Sequence, residues 1–513
     1  MSSYKKRVHV QHSINITAAL SERATKQPTR EAMVLPGRRL SYAQLDELVW
    51  LAAGSFYARG VRRGQVVAIG LRDDLLIALA TLGLARLGAT VARLASSSTP
   101  SQLQAQFRQV SLDFIVGQDI PPAGEVATLA FAEDDLTQTG IHRPPSAPAT
   151  GPVFLLFGSG STGDVKVLPV DAAIILARCR IGEKEPLYQA DARVLMLSGL
   201  QFAVPMIRML VLLHNGGTLI LTNQQCPNLV SYCCESQPTL IQGAAMHFER
   251  ILDALDLTQE RSFESLRAAR VGSSTVSQEL RERIRRHIAP AVSVSYAANE
   301  CGVISELLDD GSVELAPGSV GRPIEGVEVE IVSAQGLRLG PGEIGQIRVK
   351  TPCLISGYYK DPQATQARFR DGWFDTGDLG SLTAGGELIF HGRADSMMIY
   401  NGINIYPAEI ENCLRLLEDV RDIQVFPFAH KVHQQVPACA LTLKSGSLLT
   451  RDEIERFARK QLGFKSPQRV FIIKFIPRSP AGKLNRTEFM QLLQAEMQER
   501  SAENTTAHQK TKI

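Results

Sequence analysis

The chain has 513 residues, of which 44% are hydrophobic and 21% charged, and its formal net charge is +3. This length supports two or three domains with a large core, and the small net charge gives no argument for nucleic-acid binding. The eight cysteines are scattered without a CxxC pair, which argues against zinc and indicates reduced thiols in a cytoplasmic protein.

The most apolar stretch, residues 194–221, is interrupted by Gln201, Arg208, His214 and Asn215. We therefore expect a buried core segment there and no membrane span. The first thirty residues lack an apolar core followed by a cleavage site, so no signal peptide is predicted.

The N-terminal part alternates between predicted helices and strands. Ser41-Tyr42-Ala43-Gln44 is a capping box that starts a helix through Ala58. The other predicted segments are helices at 12–26 and 75–87 and strands at 31–34, 65–71, 90–94 and 112–116. This alternation predicts a parallel sheet covered by helices on both faces.

Residues 154–170 read FLLFGSGSTGDVKVLPV, a buried strand followed by glycines, hydroxyl residues and a lysine. Glycines let backbone N–H groups converge on an anion. Hydroxyl groups add donors, and the lysine adds a positive charge. The stretch therefore predicts a phosphate-binding loop.

Three kinds of phosphate loop are compatible with parts of this pattern. A Walker loop needs lysine directly after its last glycine, but Asp164 follows Gly163 and Lys166 comes two positions later. The dinucleotide spacing G-x-G-x-x-G is present at Gly158, Gly160 and Gly163, but a strand-like run replaces the expected helix. A Ser/Thr/Gly loop closed by Lys166 fits best, and a flexible Gly/Ser turn is the purely structural alternative.

The middle of the chain continues the alternation and then changes character. Strands are expected at 194–197, 218–221, 239–242, 266–271 and 292–296, with helices at 171–180, 204–214, 247–255 and 277–287. Residues 313–350 alternate short strands with Gly/Pro turns, which predicts a small antiparallel sheet or barrel. A compact α+β unit follows to residue 498, and the last fifteen residues are polar.

Five further stretches carry candidate chemistry. Ser295-Tyr296-Ala297-Ala298-Asn299-Glu300 places an aromatic ring and then a carboxylate at a strand end, and the stretch 373–378 (WFDTGD) places Asp378 in a tight turn. Residues 391–395 (HGRAD) offer Arg393 and Asp395, residues 400–411 open the terminal unit, and residues 477–486 form a Pro/Gly loop that presents Lys483. Taken singly, each has a plain structural reading such as a core tyrosine, an Asx turn or a solvated lysine.

In this order the stretches resemble the signature motifs of the adenylate-forming ligase superfamily, which includes acyl-CoA synthetases, carrier-protein adenylation domains and luciferases. Gly272-Ser273-Ser274 stands at the family's adenine-side turn, and Ser356-Gly357-Tyr358-Tyr359 resembles its Gly-Tyr motif. The resemblance runs from about residue 15 to 495.

The resemblance implies an α/β fold with a large N-terminal domain (1–394), built from two αβ-layered subdomains and a small β-barrel. A mobile C-terminal α+β domain (396–498) and a tail (499–513) follow. It also implies a two-step reaction. A carboxylic acid and MgATP form acyl-AMP and pyrophosphate, and a thiol of coenzyme A or of a carrier-protein phosphopantetheine then displaces AMP.

Residue roles follow from the same resemblance. The catalytic residues would be Lys483, Glu300 and Thr162. Glu300 would also bind Mg²⁺, and Asp395 would be the hinge between the two domains. The nucleotide would be bound by Ser159, Gly160, Ser161, Thr162, Gly163, Lys166, Gly272, Ser273, Ser274, Tyr296, Asn299, Asp378 and Arg393.

The sequence departs from the family pattern at several motif positions. Gly158 replaces the first loop hydroxyl, Val165 and Val167 flank the lysine in place of Pro and Gly, and Asn299 replaces Thr before the metal glutamate. These departures keep open an alternative of a different class, a catalytically weak nucleotide-binding relative that acts as a scaffold or sensor.

The acid is expected to be a small molecule without an α-amino group. Amino-acid-activating relatives carry Asp at the position of Gln201. Gln201, Phe202, Met246 and Cys301 are predicted to line a mostly apolar acyl pocket, although each of them except Gln201 could equally be core packing. An aryl or medium acyl acid fits such a pocket. Coenzyme A is the favoured acceptor and an acyl or peptidyl carrier protein the alternative.

Overall fold

A computed structural model describes residues 15–94, 100–117, 126–137, 143–159, 165–222, 228–255, 263–272, 276, 278–400, 403–430, 434–478 and 484–497. Its strands, numbered in chain order, are β1 (Glu31–Leu35), β2 (Arg38–Ser41), β3 (Val66–Ile69), β4 (Thr90–Arg93), β5 (Phe114–Val116), β6 (Ala127–Leu129), β7 (Phe154–Ser159), β8 (Val165–Val170), β9 (Arg193–Met196), β10 (Thr218–Leu221), β11 (Leu240–Gly243), β12 (Ala268–Val271), β13 (Val292–Ala298), β14 (Gly302–Asp309), β15 (Arg322–Pro323), β16 (Glu328–Val332), β17 (Gly345–Lys350), β18 (Phe369–Arg370), β19 (Trp373–Leu382), β20 (Leu388–Arg393), β21 (Met398–Tyr400), β22 (Ile403–Ile405), β23 (Val420–His430), β24 (Gln434–Leu443) and β25 (Arg469–Ile472).

The α-helices of the described residues are α1 (Ala18–Lys26), α2 (Tyr42–Ala58), α3 (Asp74–Arg86), α4 (Pro100–Gln109), α5 (Ala172–Gly182), α6 (Ala203–Asn215), α7 (Leu229–Ser236), α8 (Ala245–Ala254), α9 (Gln278–His287), α10 (Pro362–Arg368), α11 (Pro407–Leu414), α12 (Arg451–Leu462) and α13 (486–497).

Two large sheets form the N-terminal part. The first has the strand order β6-β5-β3-β4-β7-β8, parallel except where β8 returns antiparallel to β7. The second has the order β15-β14-β13-β12-β11-β9-β10-β1-β2, with a parallel centre and antiparallel strands at both edges. The non-sequential order follows from helical crossovers between parallel strands, as the alternation predicted.

The core lies between these sheets and their helices. Ser41 caps α2 as predicted, since its Oγ accepts from the Gln44 backbone and the Gln44 side chain accepts from the Ser41 backbone. Helix α3 is buried along nearly its whole length. It approaches α2 closely because a Cβ at Gly83 would lie only 3.0 Å from the Ala52 Cβ. Small residues at this crossing therefore set the spacing of the two helices.

Smaller sheets follow along the chain. Strands β16, β17, β19 and β18 form an antiparallel sheet to which β20 adds through β19, at the place where the small barrel was expected. The terminal unit contains the three-stranded sheet β23-β24-β25 with α11 and α12 packed around its own core. The domain boundary near residue 395 stays a prediction.

The predicted elements mostly agree with the observed ones within a few residues. The sequence reading missed β2, β6, β14, β18, β19, α4, α7 and α10. Most of these segments are short or mix polar and apolar residues without a clear hydrophobic period. None of the helices in the described part of the chain combines the length and apolarity that crossing a bilayer requires. The segment 194–221 is instead β9, α6 and β10 within the core, as predicted.

Candidate active site

One cleft of about 2960 Å³ collects most of the predicted site residues. Those that line it are Lys166, Gln201, Phe202, Met246, Gly272, Tyr296, Asn299, Glu300, Asp378, Arg393 and Asp395. Residues of the terminal unit, including Tyr406 and Glu409, line the same cleft. The volume exceeds that of a typical single-ligand pocket of roughly 300–1,000 Å³, so it is large enough for more than one substrate.

Asp378 and Arg393 form a cross-strand pair on the wall built by β19 and β20. They are register partners, and the Arg393 Nη1 donates to Asp378 Oδ1 at 3.1 Å. Tyr296 of β13 donates its hydroxyl to Asp378 Oδ2 at 2.5 Å. Two sequence motifs separated by about eighty residues are therefore joined by one carboxylate.

The placement of Asp378 corrects the prediction of a tight turn. Asp378 lies within the ten-residue strand β19. The turn feature is one step earlier, where Gly377 has a φ of +74° and donates its N–H to Asp375 Oδ1 at 2.9 Å. A Cβ at Gly377 would lie 2.3 Å from Arg368 Nη1. Gly377 thus forms a kink within β19, and the strand continues beyond it.

Burial sets the electrostatics of this carboxylate. Asp378 is 8% exposed. Desolvation raises its pKa above the ordinary value, against the hydrogen bond from Tyr296 and the charge of Arg393. Burial also raises the pKa of Tyr296, so this hydroxyl stays protonated and remains a donor.

The raised pKa predicts a pH dependence of nucleotide binding. If Asp378 accepts the ribose hydroxyls, protonation removes its charge, and AMP affinity should fall as the pH is lowered through that raised pKa. Asp378→Asn should bind AMP about tenfold more weakly at pH 8. The ratio of wild-type to variant affinity, measured by calorimetry from pH 8 to pH 5, cancels titration of the AMP phosphate and should shrink with acidification. A constant ratio would contradict the role of Asp378.

The predicted phosphate loop lies in the chain between the antiparallel strands β7 and β8, as the third loop type predicts. Gly158 and Lys166 are register partners at its base. A Cβ at Gly158 would lie 3.2 Å from Leu168 Cδ1. The glycine that replaces the family's hydroxyl residue at this position therefore suits the close packing of β7 against β8. The predicted ligands Gly160, Ser161, Thr162 and Gly163 and the Ser159 side chain lie outside the described residues.

Glu300 stands in the turn between β13 and β14. Tyr358 Oη donates to Glu300 Oε1 at 3.0 Å, and the Ile355 N–H donates to the Glu300 carbonyl at 2.9 Å. Arg178 of α5, whose pKa burial lowers, donates from Nη2 to the Asn299 carbonyl at 2.9 Å. The turn that carries the predicted metal ligand is therefore held from two sides.

The donor set fits Mg²⁺ that is shared with a nucleotide. Among the described residues no group of three or more His, Cys, Asp or Glu side chains could hold a metal ion. Magnesium in nucleotide sites is held by one or two carboxylates plus substrate phosphates. Glu300 offers one carboxylate at the turn between β13 and β14, on the wall of the cleft, which suits that arrangement.

The adenine side is partly described. Gly272 lines the cleft, while Ser273 and Ser274 lie outside the described residues. The Tyr296 ring lies 5.6 Å from that of Phe390, measured between ring centroids. The expected binding of the nucleotide by Tyr296 stays a prediction.

The expected acyl-pocket residues divide into two groups. Gln201, Phe202 and Met246 line the cleft. Cys301 is fully buried among the apolar side chains of the small antiparallel sheet and is not a lining residue, although its neighbour Gly302 is. Its predicted pocket role is therefore corrected: Cys301 is core packing.

The turn that carries Gln201 is anchored by buried charges that sequence reasoning missed. Arg93 Nη2 donates to the Leu200 carbonyl at 2.8 Å, and Asp74 Oδ1 accepts from the Leu200 N–H at 2.7 Å. A Cβ at Gly199 would meet the Gln201 side chain at 2.2 Å. The glycine therefore makes room for the Gln201 amide beside its own turn.

A charge-balanced network also lines the cleft. Glu185 pairs with Arg208 at 2.9 Å and with Arg270, and Arg270 also pairs with Glu306. Burial alone would raise the pKa of Glu185, but the two arginines bring it down to about 2. Spacing in the sequence gave no signal for this network, because its members come from four distant segments.

Lys483 lies outside the described residues. The described residues that flank it are Arg478 and Leu484. Arg478 and Leu484 form a β-bridge, and both line the cleft. Asp395, in a short 3₁₀ turn (Ala394–Ser396), pairs with Arg393 Nη2 at 3.3 Å. The predicted hinge residue thus lies next to Asp378 and Arg393, two of the predicted nucleotide ligands.

Sequence comparison identifies this arrangement as that of an adenylate-forming ligase. The model described as AMP-binding enzyme matches residues 20–359, and that of the AMP-binding enzyme C-terminal domain matches residues 409–483. Because the first match covers more than half of the chain, the protein belongs to the AMP-binding enzyme family.

Two similar curated proteins are CoA ligases. Indoleacetate–CoA ligase of Aromatoleum aromaticum is 29% identical, with 92% of this chain and 97% of the relative covered. 2-Succinylbenzoate–CoA ligase of Geobacillus kaustophilus is 26% identical, with the same coverage of both chains.

Solved structures share the fold. ATP-bound MatB from Rhodopseudomonas palustris superposes with a TM-score of 0.84 at 23% identity, over 93% of this chain and 98% of MatB. O-Succinylbenzoate coenzyme A synthetase (MenE) from Bacillus subtilis in complex with ATP and magnesium ion gives 0.81 at 24% identity, over 92% and 99%. The predictions of the superfamily, the fold class and an AMP-forming acid–thiol ligase are confirmed, and the scaffold alternative is not favoured.

Proposed function

We propose that this chain joins a carboxylic acid without an α-amino group to coenzyme A, through an acyl-AMP formed from ATP with release of pyrophosphate. One observation carries this proposal. The pair Asp378–Arg393 and the residues Lys166 and Glu300 come from distant motifs and line one cleft. Tyr358 contacts both Lys166 and Glu300.

The nucleotide would be held at two places in this cleft. Asp378 and Arg393 would bind the ribose, since a buried carboxylate held by a tyrosine and an arginine keeps a fixed orientation for hydroxyl donors. Lys166 and the loop hydroxyls of Ser159, Ser161 and Thr162 would bind the phosphates. Glu300 would hold Mg²⁺, which when bound neutralises phosphate charge and orients the phosphates for attack.

The acid would bind beside Gln201, Phe202 and Met246. No acidic side chain replaces Gln201 to hold an ammonium group, which argues against α-amino acids. The names of the similar ligases, indoleacetate and 2-succinylbenzoate among them, support an aryl or medium acyl acid.

The thiol step needs the terminal unit to move about Asp395. Two ion pairs connect the terminal unit to the N-terminal helices, Lys444–Glu279 at 2.7 Å and Arg421–Asp253 at 3.5 Å. All four side chains are more than a third exposed, and such pairs stabilise by about 0–1 kcal/mol. Ion pairs this weak would allow the terminal unit to change its orientation between the two half-reactions.

A direct comparison of acceptors tests the proposal. The purified chain is incubated with MgATP, a panel of aryl, acyl and amino acids, and either coenzyme A or a phosphopantetheinylated carrier protein. We expect acyl-CoA by mass spectrometry with at least one aryl or acyl acid. Acylated carrier protein without acyl-CoA, or turnover restricted to amino acids, would contradict the proposal. Adenylate without transfer to either thiol would contradict the second step.

The thiol content supports a cytoplasmic location as part of the proposal. The seven cysteines within the described residues are free, and six of them are buried. Unpaired buried thiols are typical of reducing compartments. Fractionation of cells that express the full chain would test this, and a predominantly exported protein would contradict it.

A further inference from the structure

Tyr358 contacts both charged groups of the proposed phosphate site. Its hydroxyl donates to Glu300 Oε1 at 3.0 Å, and the Lys166 Nζ lies 4.8 Å from the centroid of its ring. A carboxylate and an ammonium group are thus held by different parts of one side chain. Hydrogen bonding fixes the first, and a cation–π contact fixes the second.

The backbone around Tyr358 makes the same connection. We call residues 355–359 the Gly-Tyr segment. Ile355 donates its N–H to the Glu300 carbonyl at 2.9 Å, and Tyr359 donates its N–H to the Val167 carbonyl in β8 at 2.8 Å. The segment therefore bridges the turn that carries Glu300 and the strand that carries Lys166.

Local packing fixes the direction of the Tyr358 side chain. The Tyr358 N–H donates to Thr365 Oγ1 at 2.9 Å, and its ring meets Phe369 edge-on, 5.4 Å between centroids. Gly357 has a φ of +154°, and a Cβ there would lie 2.5 Å from Thr365 Cγ2. A glycine is therefore required immediately before a tyrosine that is only 7% exposed.

We infer that Tyr358 is a positioning residue for Mg²⁺ binding: its hydroxyl orients Glu300 while its ring holds Lys166 beside the same phosphates. This inference rests on the proposed function, which assigns Mg²⁺ to Glu300. Hydrogen bonds to a metal-binding carboxylate fix its orientation, and their loss typically weakens metal affinity or activity 10- to 100-fold.

The test measures binding without turnover. Calorimetry gives the affinity of α,β-methylene-ATP at increasing Mg²⁺ concentration and in chelator. Tyr358→Phe keeps the ring and removes the hydroxyl, and it should raise the Mg²⁺ concentration needed for half-maximal tightening about tenfold. Its affinity in chelator should stay within twofold of wild type. Tyr358→Leu should show the same shift and also bind severalfold more weakly in chelator, because Lys166 loses the ring.

Tyr359→Phe is the matched control, since the neighbouring ring lies beside Lys360 instead, and it should leave the Mg²⁺ midpoint unchanged. In a Glu300→Gln background, Tyr358→Phe should add no further shift, because the hydroxyl acts through that carboxylate. A Tyr358→Phe midpoint within twofold of wild type, or an undiminished shift in the Gln background, would overturn the inference alone. If Glu300→Gln itself left the midpoint unchanged, the metal assignment in the proposed function would fall as well.

Discussion

Replacing Lys483 by alanine should slow acyl-AMP formation by about 10²–10³, the cost of losing one positioned electrostatic stabiliser. In the first half-reaction an anionic carboxylate approaches an anionic phosphate, and an ammonium group between them binds the charge that develops there. In the second half-reaction the thiol needs an open path to the acyl carbon. Thioester formation from supplied acyl-AMP should therefore stay within a few-fold of wild type.

Arg478 and Leu484, the described residues on either side of the segment that contains Lys483, line the cleft. This position supports a role of Lys483 in the half-reaction that forms acyl-AMP. Lys474→Ala is the matched control, an exposed lysine in the same terminal unit, and it should leave both rates unchanged. Both half-reaction rates are measured on one preparation, with circular dichroism to confirm folding. Equal losses in the two halves would show that Lys483 is structural or acts throughout.

Replacing Glu300 by glutamine should remove most adenylation, with a loss of about 10²-fold at limiting Mg²⁺. The amide keeps the size of the side chain and can still accept from Tyr358, but it lacks the charge that a hard cation prefers. We therefore expect the fold to persist, and the rate to recover in part at high Mg²⁺. The measurement is the adenylation rate as a function of free Mg²⁺.

Glu249→Gln provides the control for this variant, since Glu249 faces the same cleft but pairs with Arg283 at 2.9 Å. Its loss should change the rate by less than twofold, as for other partly exposed ion pairs. Near-normal adenylation by Glu300→Gln at limiting Mg²⁺ would show that another group binds the metal.

The overall fold was accessible from the sequence because its local signals agree with its tertiary structure. The Ser41 capping box and the alternation of strands with helices are local patterns, and they predicted α2 and a helix-covered parallel sheet. The division into two sheet-based subdomains followed from the family resemblance. The strand β14 was missed because its pairing with β13 is a tertiary choice. Its sequence GVISELLD mixes polar and apolar residues without a clear period.

Asp378 shows how a correct residue can be given the wrong local structure. The tripeptide Thr376-Gly377-Asp378 reads as a turn because glycine adopts positive φ, and it does so here. The pairing of β19 with β17 is present on both sides of this kink. The local sequence therefore indicated the positive φ of Gly377, but it did not indicate that this residue lies inside a strand.

The candidate site was predictable as a set of motifs and unpredictable as a set of contacts. Nothing in the spacing indicates that Tyr296 donates to Asp378, or that Tyr358 reaches both Glu300 and Lys166. Such contacts depend on sheet order and on where separate chain segments meet. Cys301 was misassigned for the same reason, since its neighbour Gly302 lines the cleft while its own side chain points into the core.

Carboxylate-dependent exchange of labelled pyrophosphate into ATP, measured in the absence of coenzyme A, tests the central claim most directly. Exchange requires reversible formation of an acyl-AMP and no acceptor thiol, so it isolates the chemistry that the cleft is proposed to perform. With a panel of aryl, acyl and amino acids, we predict exchange that depends on Mg²⁺ and on an aryl or acyl acid. It should fall about 10²–10³-fold in Lys483→Ala. Tight AMP or ATP binding without exchange for any acid, in a folded protein, would contradict the account.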